Sequence, residues 1–296
     1  MKHDVIVVGG GYAGMAAALQ LLRARKTVLM LDAGKRRNRF ANSSHGFLGQ
    51  DGIAPDRIAA DAREQLAAYP ELDWIDEEAG SLAGKRDAFE VITSEGKTWL
   101  GRRILFATGV EDRLPEIDGI GERWGKSVFH CPYCHGYELG KGRIGVLGSG
   151  PMSAHQAELL TEWGKVTYFP NDTAMPDAQT RNTLEARQVT IEDTRIRRIE
   201  GKADIILADG RNLSFAGLFV ATQVTPASPL PASAGCEMKE TPLGSIIHTD
   251  ETKQTTVPGI YACGDVAHMP HSVSLAVGDG AKAGAQVHRS LVWPDA

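Results

Sequence analysis

The sequence predicts an α/β chain of two three-layer units, the second inserted into the first, and three observations predict it. Val5-Ile6-Val7-Val8 passes directly into a glycine turn and then an Ala- and Leu-rich stretch. The same order recurs at Ile144-Gly145-Val146-Leu147, before Gly148-Ser149-Gly150. A third run, Gly259-Ile260-Tyr261-Ala262, comes late and needs a home in the first unit. Strands covered on both faces read as short continuous apolar runs joined by helical crossovers, so each repeat is one βαβ element.

The elements follow in order. After the opening strand and glycines, Met15 to Leu22 reads as a helix, and Val28-Leu29-Met30-Leu31 as a strand closed by Asp32. A polar loop spans Lys35 to Gln50, and a helix runs from Pro55 to Tyr69. Residues 71–105 read as short strands turning at Gly84-Lys85 and Glu95-Gly96, and the strand at 104–106 ends in Ala107-Thr108-Gly109. In the second unit a helix covers Ala154–Trp163, with strands at Val166–Phe169 and Leu218–Thr222. Pro115 and the Thr241-Pro242 turn are the expected crossings between units, because proline ends regular structure.

Composition narrows the class. The 296 residues suit about two domains at roughly 100–200 residues each. Net charge is −5, which gives no basic surface for nucleic acid or an anionic membrane. Four cysteines are too few for a disulfide-stapled secreted scaffold. The N-terminus lacks the apolar core of a signal peptide, and no run approaches a membrane span. The expectation is a soluble, cytoplasmic protein.

Two motifs carry chemistry. Gly9-x-Gly11-x-x-Gly14 lets backbone N–H groups approach a pyrophosphate at a helix N-terminus, where the positive dipole end favours the anion. Asp32 stands where a carboxylate accepts both ribose hydroxyls of an adenosine. Strand, turn, helix and acid together define a Rossmann-like dinucleotide-binding domain, and Asp32 argues against a 2′-phosphate here. The cationic run Lys35-Arg36-Arg37-Asn38-Arg39 reads as a solvated loop with one arginine, Arg39, near the cofactor.

The second motif is Cys131-Pro132-Tyr133-Cys134-His135. Taken literally it is a c-type haem attachment sequence, which requires export. A zinc site would need a second ligand pair, and Cys236 and Cys263 stand far apart in sequence. A redox-active dithiol fits best, with His135 placed to shuttle a thiol proton near neutral pH.

The first glycine motif, Phe106-Ala107-Thr108-Gly109, the Cys-x-x-Cys, the second Gly-x-Gly and Ala262-Cys263-Gly264-Asp265 come in that order. The chain resembles the thioredoxin reductase family of flavin disulfide oxidoreductases over essentially its whole length. The resemblance implies two Rossmann-like domains, with FAD bound by residues 1–113 and 243–296. Residues 114–242 would form an NAD(P)H-binding-like domain carrying the cysteine pair. It also implies a flavin seat including Thr108, Gly109, Gly264 and Asp265, with Asp265 on the ribityl chain. Ser272 and Val273 would lie near the flavin ring, and the helix after Gly280 would point its N-terminus at it. Cys134 would face the flavin, Cys131 would exchange with substrate, and the protein would be a homodimer.

Departures from that family shape the functional expectation. The second fingerprint reads Gly148-x-Gly150-x-x-Ser153, and Asn171 and Asp172 stand where groups suited to NADPH would be. His271-Ser272-Val273 replaces an Arg-Gln-Ala stretch, and His135 replaces an aspartate. The FAD-dependent dithiol oxidases of gliotoxin- and holomycin-type natural products are similar in these respects, and in Asn38-Arg39-Phe40, His45-Gly46-Phe47-Leu48 and Asp51-Gly52. That branch implies oxidation of a dithiol, on a small molecule or a thioredoxin-like protein, with oxygen as acceptor. Two alternatives stay open: an NADPH- or other donor-dependent thioredoxin reductase, and a non-enzymatic flavin redox sensor.

Overall fold

A computed structural model describes residues 2–294; residues 1, 295 and 296, at the ends of the expected first domain, lie outside the described residues. The opening strand Lys2–Val8 is central in its sheet, with Val5, Ile6 and Val7 fully buried. Val28–Leu31 and Leu72–Ile75 extend the sheet in parallel on one side. Thr98–Phe106 pairs in parallel on the other, and Ile260–Ala262 lies in parallel beyond it. The late strand therefore joins the same sheet as the opening strand.

Two helices of this unit pack on each other through small residues. In Tyr12–Arg23 and Val273–Val292, a Cβ on Gly280 would stand 2.1 Å from the Ala13 carbonyl oxygen, and one on Gly284 2.4 Å from that of Ala17. Those glycines pack the two helices together from the middle of the second. The C-terminal helix thus begins at Val273 and not after Gly280, because Ser272 caps it by accepting a hydrogen bond from the Leu275 N–H at 3.1 Å.

The second unit repeats the plan in an all-parallel sheet. From one edge, its strands are Thr190–Ile191, Lys165–Phe169, Arg143–Leu147, Gly217–Val220 and Val128–Phe129. A three-stranded antiparallel sheet, Ile196–Glu200, Asp204–Leu207 and Asn212–Ser214, closes one face around Ile199, Ile205 and Leu207.

The chain returns to the first sheet's side before the Thr241-Pro242 turn. Gln223–Pro226 pairs antiparallel with Val110–Arg113, so the outgoing and returning crossings lie side by side. Leu230, Cys236 and Ile247 then bury against Ile6, Val8 and Phe106 of the first core. Residues 223–242 belong with the first unit by packing, and the inserted core runs from Ile117 to Val220. No helix among the described residues is long and apolar enough to cross a membrane.

Candidate active site

A cavity of about 580 Å³ runs from the first glycine turn to the cysteine pair. At its near end the turn is held by close packing. Gly9 has φ +109°, and a Cβ on Gly14 would stand 1.9 Å from the Gly9 carbonyl oxygen. Only glycine fits there. A Cβ on Gly11 would meet nothing within 4 Å, so the turn is open on the cavity side. Asp32 Oδ1 accepts hydrogen bonds from the N–H groups of Gly10 (3.2 Å) and Gly34 (3.1 Å), which fixes the carboxylate at the cavity wall.

Buried Thr108 Oγ1, Asn38 Oδ1 and Arg36 Nε have no partner within the protein, although their residues line the cavity. Unpaired buried polar atoms are costly, so a lining of them points to a polar ligand. Glycine turn, helix N-terminus, acid and unpaired donors and acceptors fit FAD. Gly109 (φ +70°) borders the same space, and Gly264 donates its N–H to Asp279 Oδ2 at 2.9 Å. Asp265, Ser272 and Val273 also line it.

At the far end Cys131 and Cys134 form a disulfide, with Cys134 among the cavity-lining residues. The described residues hold no cluster of three or more His, Cys, Asp or Glu side chains that could bind a metal. The His135 ring stacks on Phe129 with centroids 4.2 Å apart. Burial, and secondarily the charge of His45, push its pKa down to about 4, so it is neutral in the oxidised protein at pH 7. His130 is pushed down to about 3, first by burial and then by the nearby Arg37.

Arg37 is the residue that the sequence motifs do not reveal. Its Nε and Nη2 donate to Asp112 at 2.7 and 2.6 Å, and its Nη1 donates to Asp265 Oδ2 at 3.2 Å and to His271 Nδ1 at 2.7 Å. Burial would raise the Asp112 pKa, but the Arg37 pairing outweighs it and holds the carboxyl below its ordinary range. Inside a run of five polar residues, four of them cationic, no local signal singles out Arg37. Arg39, the arginine expected near the cofactor, lines the cavity but is exposed, with its guanidinium 4.2 Å from the Phe40 ring centroid.

The second glycine turn is built differently. Ser153, where a third glycine would be, is fully buried, and its Oγ accepts from the N–H groups of Ser149 (3.0 Å) and Gly150 (3.2 Å). Ser149 Oγ donates to the Ala221 carbonyl at 2.8 Å. Pro151 precedes the helix Met152–Leu160 and brings no N–H. Asn171, at φ +50°, spends its Oδ1 on the Ile196 N–H at 2.9 Å.

An open dinucleotide cradle reaching a disulfide on a second nucleotide-type domain defines a disulfide oxidoreductase. Comparison with known proteins agrees. The chain matches the pyridine nucleotide-disulphide oxidoreductase family over residues 3–280, and it belongs to that family. It is 32% identical to the thioredoxin reductase tcpT of Claviceps purpurea, over 98% of this chain and 94% of the relative. The crystal structure of an oxidoreductase from Agrobacterium tumefaciens is 52% identical, with TM-score 0.97 and all of both chains covered. HlmI is 34% identical with TM-score 0.91, covering 98% of this chain and 93% of the other. The chain is a thioredoxin reductase-like disulfide oxidoreductase with FAD as its cofactor.

Proposed function

We propose that the protein oxidises a substrate dithiol to a disulfide, with electrons passing through Cys131 and Cys134 to FAD and then to oxygen. The observation that carries this reading is the Ser153 hydroxyl. It takes the two N–H groups that a second pyrophosphate would need. Asn171 is committed to Ile196, and Asp172 would oppose a 2′-phosphate. Each charge-assisted hydrogen bond that is missing costs roughly 1.5–3 kcal/mol, or ~10- to 100-fold in affinity. A dithiol needs no such pocket.

A substrate thiolate attacks Cys131 Sγ and the Cys131–Cys134 bond breaks, leaving Cys134 as a thiolate beside the cavity. The second substrate thiol attacks the mixed disulfide, closing the substrate disulfide and releasing Cys131. His135, neutral at the outset, accepts a proton shed by the thiols, and a thiolate at Cys134 favours its protonated form. Held along the cavity that Cys134 lines, FAD would supply the two-electron redox chemistry that links the reduced cysteine pair to oxygen, with peroxide as the product and the Cys131–Cys134 disulfide restored. A cytoplasmic homodimer is part of the same reading.

The test is anaerobic titration of the yellow protein. Small dithiols should bleach the flavin within seconds under argon, and millimolar NADPH slowly or not at all. Air should restore the colour and yield peroxide. Rapid bleaching by micromolar NADPH would refute this direction and make the protein a thioredoxin reductase.

A further inference from the structure

Arg37 joins three segments far apart in sequence. One planar guanidinium forks onto Asp112, in the strand that leaves the first unit, and reaches Asp265 and His271 in the flavin seat. Asp112 Oδ1 also accepts a hydrogen bond from Thr222 Oγ1 at 2.5 Å, and Thr222 closes the returning crossing. Side chains of Arg37 and Asp112 are 16% and 4% exposed, so little water can replace either partner. The same loop reaches the inserted unit twice more. Gly125, at φ +73°, lies against Phe40, where a Cβ would stand 2.8 Å from that of Phe40, and His45 Nδ1 lies 3.5 Å from Glu138.

We propose that Arg37 is a positioning residue that ties the flavin seat to the hinge between the two domains. It fixes the Asp265 carboxylate for the cofactor. Through Asp112 and Thr222 it also fixes the orientation in which Cys134 lines the cavity. Lysine could supply the charge but not the fork, because its ammonium is a point donor on a flexible stem. The proposal depends on FAD binding alone and is independent of the direction of electron flow.

Two readouts test it. FAD affinity is read by titrating apoprotein against flavin fluorescence. Domain orientation is read as the distance distribution between spin labels on Glu64→Cys and Glu185→Cys, both exposed positions on helices of the two units. Arg37→Lys should weaken FAD binding by about 10- to 100-fold and broaden the distribution. Thr222→Val, which removes only the hinge link, should broaden the distribution while FAD affinity holds.

Arg37→Lys with wild-type affinity and one narrow distance would overturn the proposal, because charge balance alone would then suffice. Weaker FAD binding with no broadening in either variant would overturn it too, leaving the arginine to the flavin seat alone. Should Arg37→Lys not fold, Thr222→Val decides: a broadened distribution supports the hinge link, and an unchanged one refutes it.

Discussion

The two glycine turns, Gly9 to Gly14 and Gly148 to Ser153, occupy the same place in two copies of one βαβ plan. In the first, Gly14 packs on the Gly9 carbonyl and the N-terminal end of the helix faces a cavity. In the second, a serine at the matching position turns its hydroxyl inward and pairs the turn's own N–H groups. One hydroxyl marks the difference between the two turns. Fold repetition by itself therefore does not imply functional repetition.

The largest test of that contrast is Gly14→Ser. Its Cβ would collide with the Gly9 carbonyl, so the purified protein should lose nearly all of its flavin absorbance. Retention of stoichiometric FAD would break the comparison. Next, Asp265→Ala should weaken FAD by about 10- to 100-fold, the range for removal of a charged hydrogen bond. Asn171→Ala, at the second site, should leave flavin content unchanged, and equal loss in both would merge sites that we separate.

Ser153→Gly sharpens the comparison from the other side. Freeing the two N–H groups for an anionic pyrophosphate should improve binding of a nicotinamide dinucleotide by about 10- to 100-fold, the range for a charge-assisted hydrogen bond. Isothermal titration would check it, and no gain would show that Ser153 is not what closes the second turn.

The smallest effect is on pH. The first cavity holds histidines that burial keeps neutral, whereas serine hydroxyls, which do not titrate, hold the second turn. His135 has a folded pKa of about 4 against about 6.5 when unfolded, so the unfolded state binds more protons between those values. Stability should be complete above pH 6.5 and fall towards pH 4, by at most ~3 kcal/mol from this group. His135→Gln should flatten the fall in denaturant midpoint, and an unchanged slope would remove His135 from the balance.

What was legible in the sequence was local. Val5–Val8, the glycine spacing, Asp32 and the Cys-x-x-Cys each announce themselves within a few residues, and the structure holds a strand, a tight turn and a disulfide at those positions. Arg37 could not be picked out, because its partners lie 75, 228 and 234 residues away. Ser153 was legible as a missing glycine but not as a hydroxyl bonded to its own turn. Leu230 and Cys236 take their partners from the first core, which no local composition reveals.

The first unit is assembled from both ends of the chain, and that sets an order of events during synthesis. Ile117 to Val220 is continuous and can close its core as it leaves the ribosome, since domains fold as units. Thr98–Phe106 must meanwhile wait for Ile260–Ala262, and Tyr12–Arg23 for the helix that carries Gly280 and Gly284. Asp265 and Ser272 arrive with those last elements. The domain bearing the disulfide is therefore the early product of translation, and the place where FAD docks is completed only when the final helix is in hand.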